Sequence, residues 1–398
     1  MHPYTQNYQY IYVDNANQLA ELCEHYRSQP VLAIDTEFVR TQTLTPCLGL
    51  IQVFDGKQVA LIDPIAITDL SKFADILINE SIVKVAHSCS EDLETLWQHL
   101  DIIPKPVFDT QVAAAMLDIG PSIGYANLIE NLFSITIDKG ESRTDWLQRP
   151  LSEAQCNYAS ADVTHLMAIY ENLLVPITEH GFLPYIYDEI QALGVKKSIA
   201  MPSDLAYLQL KNNWKLHGVK LQALKLLAQW RLDEARRLNK SINFIIKEVA
   251  LFELAYKLPV TQQLLFDCHN LYAKQARLYG DQLLNIIRQA KATPIEACPP
   301  PIQRLIEFKG YKPCAQLLKE LIEQISEEQR IPQACLASKK QLNQLLKWCW
   351  FNFDELENLG LLPDVLSGFR RDLFYPHVNE NSLIGKKIAE NHEIMRSL

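Results

Sequence analysis

Asp35 and Glu37 interrupt the otherwise apolar run VLAIDTEFV at residues 31–39. In a strand, side chains alternate between two faces, so positions i and i+2 project together and these two carboxylates share one patch. Ionised carboxylates held side by side repel and resist losing water. Such a pair therefore binds a cation, carries a raised pKa, or sits on an exposed edge. The D-x-E spacing alone does not choose among the three. Further acids narrow the choice: Asp92 opens a helical stretch after the apolar run IVKVA at 82–86, and Asp162 lies in QCNYASADVTHL with Tyr158 four residues before it. On a helix, residues four apart share a face, which puts the phenol and the carboxylate within reach of one bound atom. Four acids from two strand positions and two helices can close around a pair of Mg²⁺ ions, hard cations that prefer oxygen ligands. That chemistry suits phosphoryl transfer, in which one metal lowers the pKa of an attacking water and both stabilise an in-line transition state.

The elements that must hold these acids read as mixed α/β. Strands are expected at 31–39, at GLIQVF (49–54), at QVALI (58–62) and at IVKVA, with Asp55-Gly56 as a hairpin turn between the second and third. Helical patterning follows near 69–79, 91–100 and 109–118. Beyond Gly181 the strand signals fade, and the run at 204–238 shows apolar residues recurring at three and four, as helices do. Met201-Pro202-Ser203-Asp204 offers a helix start, and ATPIEACPPP at 292–301 reads as a stiff linker. The expected division is a catalytic unit at 1–185, helical units at 204–291 and 300–375, and a polar tail at 376–398. The two helical units look related, KLLAQW at 225–230 pairing with KKQLNQLLKWCW at 339–350.

At 398 residues and 48% apolar composition, the chain is long enough for two or three folded domains and too apolar for a disordered one. The start MHPYTQNYQYIYV lacks a basic segment followed by an apolar core, and no apolar run approaches a bilayer span. Nine cysteines occur without a CxxC pair or zinc-finger histidines. A cytoplasmic protein with reduced thiols and no structural zinc is expected. The net charge of −9 conceals a split. Residues 1–180 hold 9 Lys and Arg against 24 Asp and Glu, a balance of −15, and the rest of the chain carries +6. Between Leu205 and Lys247 alone the balance is +7, either a solvated helix face or the footprint of phosphate binding.

The ordered set DTEF (35–38), HSCSEDLETL (87–96), FDTQVAAAML (108–117) and SRTDWLQRPLSEAQCNYASADVTHL (142–166) closely resembles the ribonuclease D family. That family belongs to the DEDD exonucleases, in the subgroup with a tyrosine four residues before the last aspartate. The resemblance covers about residues 10–180, and the rear half resembles the family's two HRDC modules. It implies an α/β RNase H-like exonuclease domain, with a mixed sheet of the five-stranded type flanked by helices, followed by two all-α HRDC domains. It further implies that Asp35, Glu37, Asp92 and Asp162 hold two divalent cations, Mg²⁺ or Mn²⁺, and that Tyr158 positions or deprotonates the attacking water. An unperturbed phenol is a poor base at neutral pH, which favours orientation. The implied reaction is stepwise hydrolysis at an RNA 3′ end, releasing 5′-nucleoside monophosphates from transfer-RNA precursors and other small structured RNAs. The expected protein is a monomer that needs no small-molecule cofactor and no membrane.

Lys139, Arg143, Trp146 and Arg149 fall in a segment the family shares and are candidate contacts for the RNA end, Trp146 equally a candidate for the core. Lys211, Lys215, Arg236 and Arg237 are candidate contacts in the basic stretch. Asp109 is expected to cap a helix, and His87, Cys89 and Cys156 to pack. Two other readings are a DNA exonuclease of repair type and an RNA-binding adaptor that has lost activity. No P-loop accompanies the acids, and a retired site has no physical reason to keep four mutually repelling carboxylates.

Overall fold

The computed structural model describes residues 9–137, 140–351, 359–380 and 382–390. Six strands form one sheet: β1 (Tyr10–Val13), β2 (Val31–Val39), β3 (Cys47–Phe54), β4 (Val59–Ile62), β5 (Val83–Ala86) and β6 (Val107–Asp109). Their spatial order is β1-β4-β3-β2-β5-β6, with an antiparallel β2-β3-β4 meander at the centre and parallel pairings at both flanks. The expected Asp55-Gly56 turn joins β3 to β4. Gly56 takes φ +89, and the Asp55 carboxylate accepts from the Lys57 and Gln58 amides. The sheet is wider than expected because β1 and β6, four and three residues long, leave too short a pattern to read.

The alternation of apolar residues along β2 and β3 assigns the two faces. Leu32, Ile34, Leu48, Ile51 and Val53 pack against α1 (Ala16–Tyr26) and α2 (Ser71–Ile78). Ala33, Leu50 and Phe54 pack on the other face beneath α6 (Glu153–Glu179). Here α4 (Thr110–Met116) and α5 (Tyr125–Phe133) pack with α6, α3 (Ser90–Leu100) packs against β2 and β3, and α7 (Leu183–Ser198) runs past α3 and β6. Asp109 caps α4 as expected, accepting from the Gln111 and Val112 amides, and its second oxygen accepts from the Cys89 amide.

The run at 204–238 is not helical throughout. Residues 203–209 and 213–215 form short 3₁₀ turns, and the α-helix α8 covers only Val219–Leu238, after Gly218 at φ +52. The helical units do repeat, but not by pairing their tryptophan-bearing helices. A long helix, a four-residue turn and a helix of 10–12 residues recur in the same order, as Val219–Leu238, Ile242–Ile245 and Glu248–Lys257, then Tyr311–Gln329, Gln333–Leu336 and Lys339–Trp350. Trp230 is in the first helix of its set and Trp348 in the third, so composition alone matched the wrong elements.

Both helical units dock on the front. Asn239 accepts from the Thr45 amide and hydroxyl in the β2–β3 loop, and the Ser241 amide donates to the Gln42 carbonyl. Arg370 pairs with Glu189 and Lys196 with Asp364, and the core around Trp348 and Phe369 is continuous with the one beneath α6. The units also meet each other, the Arg304 guanidinium lying 4.1 Å from the Trp214 ring centroid. Among the described residues no helix is long and apolar enough to cross a membrane.

Candidate active site

The site begins with a capping box. The Ser152 hydroxyl accepts from the Gln155 amide at 3.1 Å, and the Gln155 side chain accepts from the Ser152 amide at 3.0 Å, which fixes the first turn of α6. Tyr158 and Asp162 lie on the next turns, one turn apart on the same helix face, close enough for the carboxylate to act on the phenol. Facing them, β2 presents Asp35 and Glu37. One oxygen each from Asp35, Glu37 and Asp162 lies within 4.8 Å of the others. Asp92 enters from the start of α3, where its carboxylate accepts from the Thr36 hydroxyl on the strand between the two acids.

Each carboxyl is pushed upward from its ordinary range. Burial raises Asp35 well above it, with added repulsion from Asp92 and Asp162. Burial and then the neighbouring Asp35 push Glu37 to about 10. Burial pushes Asp162 to about 7 and Asp92 to about 6, the Thr36 hydrogen bond holding the latter back. Asp92 and Asp162 act on both strand acids, Asp35 and Glu37. Burial also raises the Tyr158 phenol, and the charges of Asp162, Glu37 and Asp35 add to it, so this hydroxyl remains protonated and acts as a donor. Three convergent carboxylate oxygens with no sulfur or imidazole among them suit a hard divalent cation such as Mg²⁺ or Mn²⁺.

Two of the expected RNA contacts are occupied within the fold. The Arg149 guanidinium grips Asp63 through two bonds of 2.7 and 2.8 Å and donates to the Trp146 carbonyl at 2.9 Å and to the Gly49 carbonyl. Trp146 is 1% exposed, so it belongs to the core, where its ring lies 6.2 Å from that of Tyr158. A Cβ at Gly49 would stand 2.6 Å from the Trp146 carbonyl oxygen, which explains the glycine there. Together these contacts clamp the segment before α6 and support the ring of Tyr158. Arg143 is exposed, and Lys139 lies outside the described residues.

In the basic stretch, Lys211 and Lys215 are exposed, with the Lys215 ammonium 5.3 Å from the Trp214 ring centroid. Arg237 makes a two-point pair with Glu234, and Arg236 donates to the Met201 carbonyl, while both side chains remain exposed. His87, Cys89 and Cys156 are at least half-buried, with the His87 ring against the Thr110 hydroxyl. The sequence reading passed over Glu94, two residues after Asp92, which binds Arg40 from the end of β2 at 2.8 Å and Lys197 from α7 at 3.0 Å and so ties α3 in place. It also passed over Gln52, whose signal was a lone amide in GLIQVF.

Comparison with known proteins bears on this geometry directly. The family model described as 3′-5′ exonuclease matches residues 10–177, an HRDC domain model matches 220–287, and the ribonuclease D C-terminal HRDC model matches 309–378. Ribonuclease D of Escherichia coli is 41% identical over 367 residues, covering 92% of this chain and 96% of that protein. Ribonuclease D of Haemophilus influenzae is 35% identical over 363 residues, covering 91% and 90%. The crystal structure of E. coli RNase D, an exoribonuclease involved in structured RNA processing, superposes with a TM-score of 0.87 at 38% identity, over 96% of this chain and 99% of that one. The catalytic core of Trypanosoma brucei RRP6, at 22% identity and a TM-score of 0.60, shares the fold over 72% of this chain and 81% of its own. With one exonuclease and two HRDC matches in the same order as the elements described, and with identity spread over nearly its whole length, the chain belongs to the ribonuclease D family of 3′-5′ exoribonucleases.

Proposed function

We propose that this chain trims the 3′ tails of transfer-RNA precursors and other small structured RNAs in the cytoplasm, hydrolysing the terminal phosphodiester and releasing one 5′-nucleoside monophosphate per step. The observation that carries the reading is the convergence of Asp35, Glu37 and Asp162 within 4.8 Å, with Tyr158 one helical turn before the last of them. Asp35, Glu37 and Asp162 would hold one divalent cation, and Asp35 with Asp92 a second. Such cations supply an activated water and offset the charge that develops on the phosphate. The chain's own work is to orient: Tyr158 donates from a protonated hydroxyl toward the acid cluster and aligns the attacking water. Thr36 and Glu94 hold Asp92 and its helix at the right depth.

The −15 balance of the front repels a polyanion, so the cations and the exposed lysines of the first helical unit supply attraction. All nine cysteines are free thiols, which agrees with a reducing compartment. The helical units close on the front within one chain, which supports a monomer.

The test incubates a 5′-labelled transfer RNA bearing a 3′ extension with the protein in Mg²⁺, Mn²⁺ or EDTA, beside Asp35→Ala and a single-stranded DNA of matched length. A metal-dependent ladder that shortens from the 3′ end, prefers RNA and vanishes in the variant is expected. RNA bound without shortening would instead identify an adaptor, and preferential degradation of DNA a repair-type enzyme.

A further inference from the structure

Gln52 is a buried polar side chain beside the acid cluster that the reaction as derived leaves without a task. It sits in β3 between Leu50 and Phe54 and pairs across the ladder with Asp35 on one side and Leu61 on the other. Residues paired directly across a sheet project from the same face, and here that is the face covered by α6. Gln52 is 0% exposed, yet neither its amide nitrogen nor its amide oxygen has a hydrogen-bond partner. An unsatisfied buried amide is a net cost to stability. A methionine would fill the same space without it. Leu50, Phe54 and Leu61 offer the amide no polar side-chain atom, so among its strand and ladder neighbours the polar side chain is Asp35.

Asp35 is also the acid that needs restraint. Its carboxylate converges with those of Glu37 and Asp162, and a carboxylate that serves two cations must present each oxygen in a defined direction. Metal-ligating side chains are held in orientation by hydrogen bonds from behind, and their loss weakens metal affinity.

We propose that Gln52 is a positioning residue for the metal site, its Nε2 donating to the Asp35 carboxylate once that group is committed to the cations, and its Oε1 accepting from a water that enters with them. This inference rests on the two-cation reading and adds the residue that aims its shared ligand. The unpartnered amide is then a hydrogen bond kept in reserve, held at some expense of stability.

Two readouts separate this from a structural amide, both on the full chain stripped of metal. Mn²⁺ binding is followed by calorimetry or by the loss of the free-ion electron paramagnetic resonance signal, and thermal unfolding is followed in EDTA, for Gln52→Met and Gln52→Leu beside the wild type. Mn²⁺ affinity is expected to fall about 10-fold or more. The midpoint in EDTA is expected to rise, by about 2 °C. Unchanged Mn²⁺ affinity in both variants would overturn the proposal. A lowered midpoint in both would overturn it as well, because the amide would then be holding the core together. A wild-type chain that binds no Mn²⁺ would remove the two-cation reading itself, an outcome distinct from either failure of Gln52.

Discussion

Two clusters of half-buried to buried polar side chains sit on the same sheet and follow opposite rules. At the end of β4, burial alone would raise the Asp63 carboxyl, but hydrogen bonds from Arg149, the Tyr12 hydroxyl and the Ile65 amide pull it down to about 2. On β2, burial acts on Asp35 and Glu37 in the same direction, and the neighbours make it worse, taking Glu37 to about 10. Burial is common to both, so the neighbours decide the sign. The first cluster has its counter-charge within the chain and closes on itself. The second is built from groups of one sign and is complete only when charge arrives from outside. Stability and function are thus divided between two sets of carboxylates on one scaffold, the arrangement expected where a site is kept at some cost to the fold.

Removing Asp35 tests the open cluster most severely. Asp35→Ala is expected to lower 3′-end trimming by roughly 10³-fold or more, since several kcal/mol of transition-state stabilisation go with the shared ligand. The same change relieves repulsion, so its unfolding midpoint in EDTA should not fall. A variant that loses activity by unfolding would put Asp35 in the same class as Asp63. At the closed cluster the pattern reverses. Asp63→Ala leaves Arg149 without its partner and should cost about 3 kcal/mol, a drop on the order of 6–12 °C in midpoint, while chain that remains folded keeps its Mn²⁺ affinity. Calorimetry with and without Mn²⁺ distinguishes the two.

Tyr158→Phe sharpens the division inside the open cluster. With its hydroxyl protonated and donating, the residue orients, and its loss should slow single-turnover trimming about 10²-fold while leaving Mn²⁺ binding intact. Unchanged turnover would remove Tyr158 from the site.

The clusters also predict opposite responses to pH. Asp92, Asp162 and Glu37 have folded values of about 6, 7 and 10, above the ordinary carboxylate range, so between about pH 4 and those values the folded chain binds more protons than the unfolded one. Metal-free stability should therefore fall as pH rises from 5 to 9. Saturating Mg²⁺ or Mn²⁺ should flatten that slope, because the cations replace the protons. Asp63, held at about 2, contributes stability above about pH 4 that is lost as pH falls toward 2. An EDTA profile that rises between pH 5 and 9 would contradict the raised values at the acid cluster.

What could be read before the fold was known follows the same division. The four acids and Tyr158 were legible because strand and helix periods alone place i, i+2 and i, i+4 together, and the family's motif order ties the distant pieces. The long strands β2 and β3 were legible for the same reason. Arg149 was not, because a guanidinium reads as a phosphate contact until its partner is known, and Asp63 lies 86 residues away. Lys84 in IVKVA gave no sign that it is 2% exposed, donating to the Asn79, Ile82 and Lys105 carbonyls. Gln52 was overlooked since its register against Asp35 depends on how the meander pairs. Partners set by tertiary register leave little trace in local pattern.

The basic stretch carries the same contrast at lower energy. All four side chains are exposed, but Arg237 has its counter-charge in Glu234 and Arg236 is held by the Met201 carbonyl, whereas the Lys211 and Lys215 ammonium groups face no carboxylate among the described ion pairs. Only charges left open can release counterions when RNA arrives. Lys211→Ala and Lys215→Ala should each weaken binding of a 3′-tailed RNA a few-fold and reduce the slope of log K against log salt by about 0.7, the value for one single-strand phosphate contact. Trimming at saturating RNA should be unaffected. Arg237→Ala should leave that slope unchanged, since its guanidinium already answers a carboxylate. Equal loss of slope in Arg237→Ala and Lys215→Ala, measured by fluorescence anisotropy between 50 and 200 mM salt, would show that pairing within the fold does not decide which charges meet RNA, and the distinction drawn from Asp63 and Asp35 would then stop at the sheet.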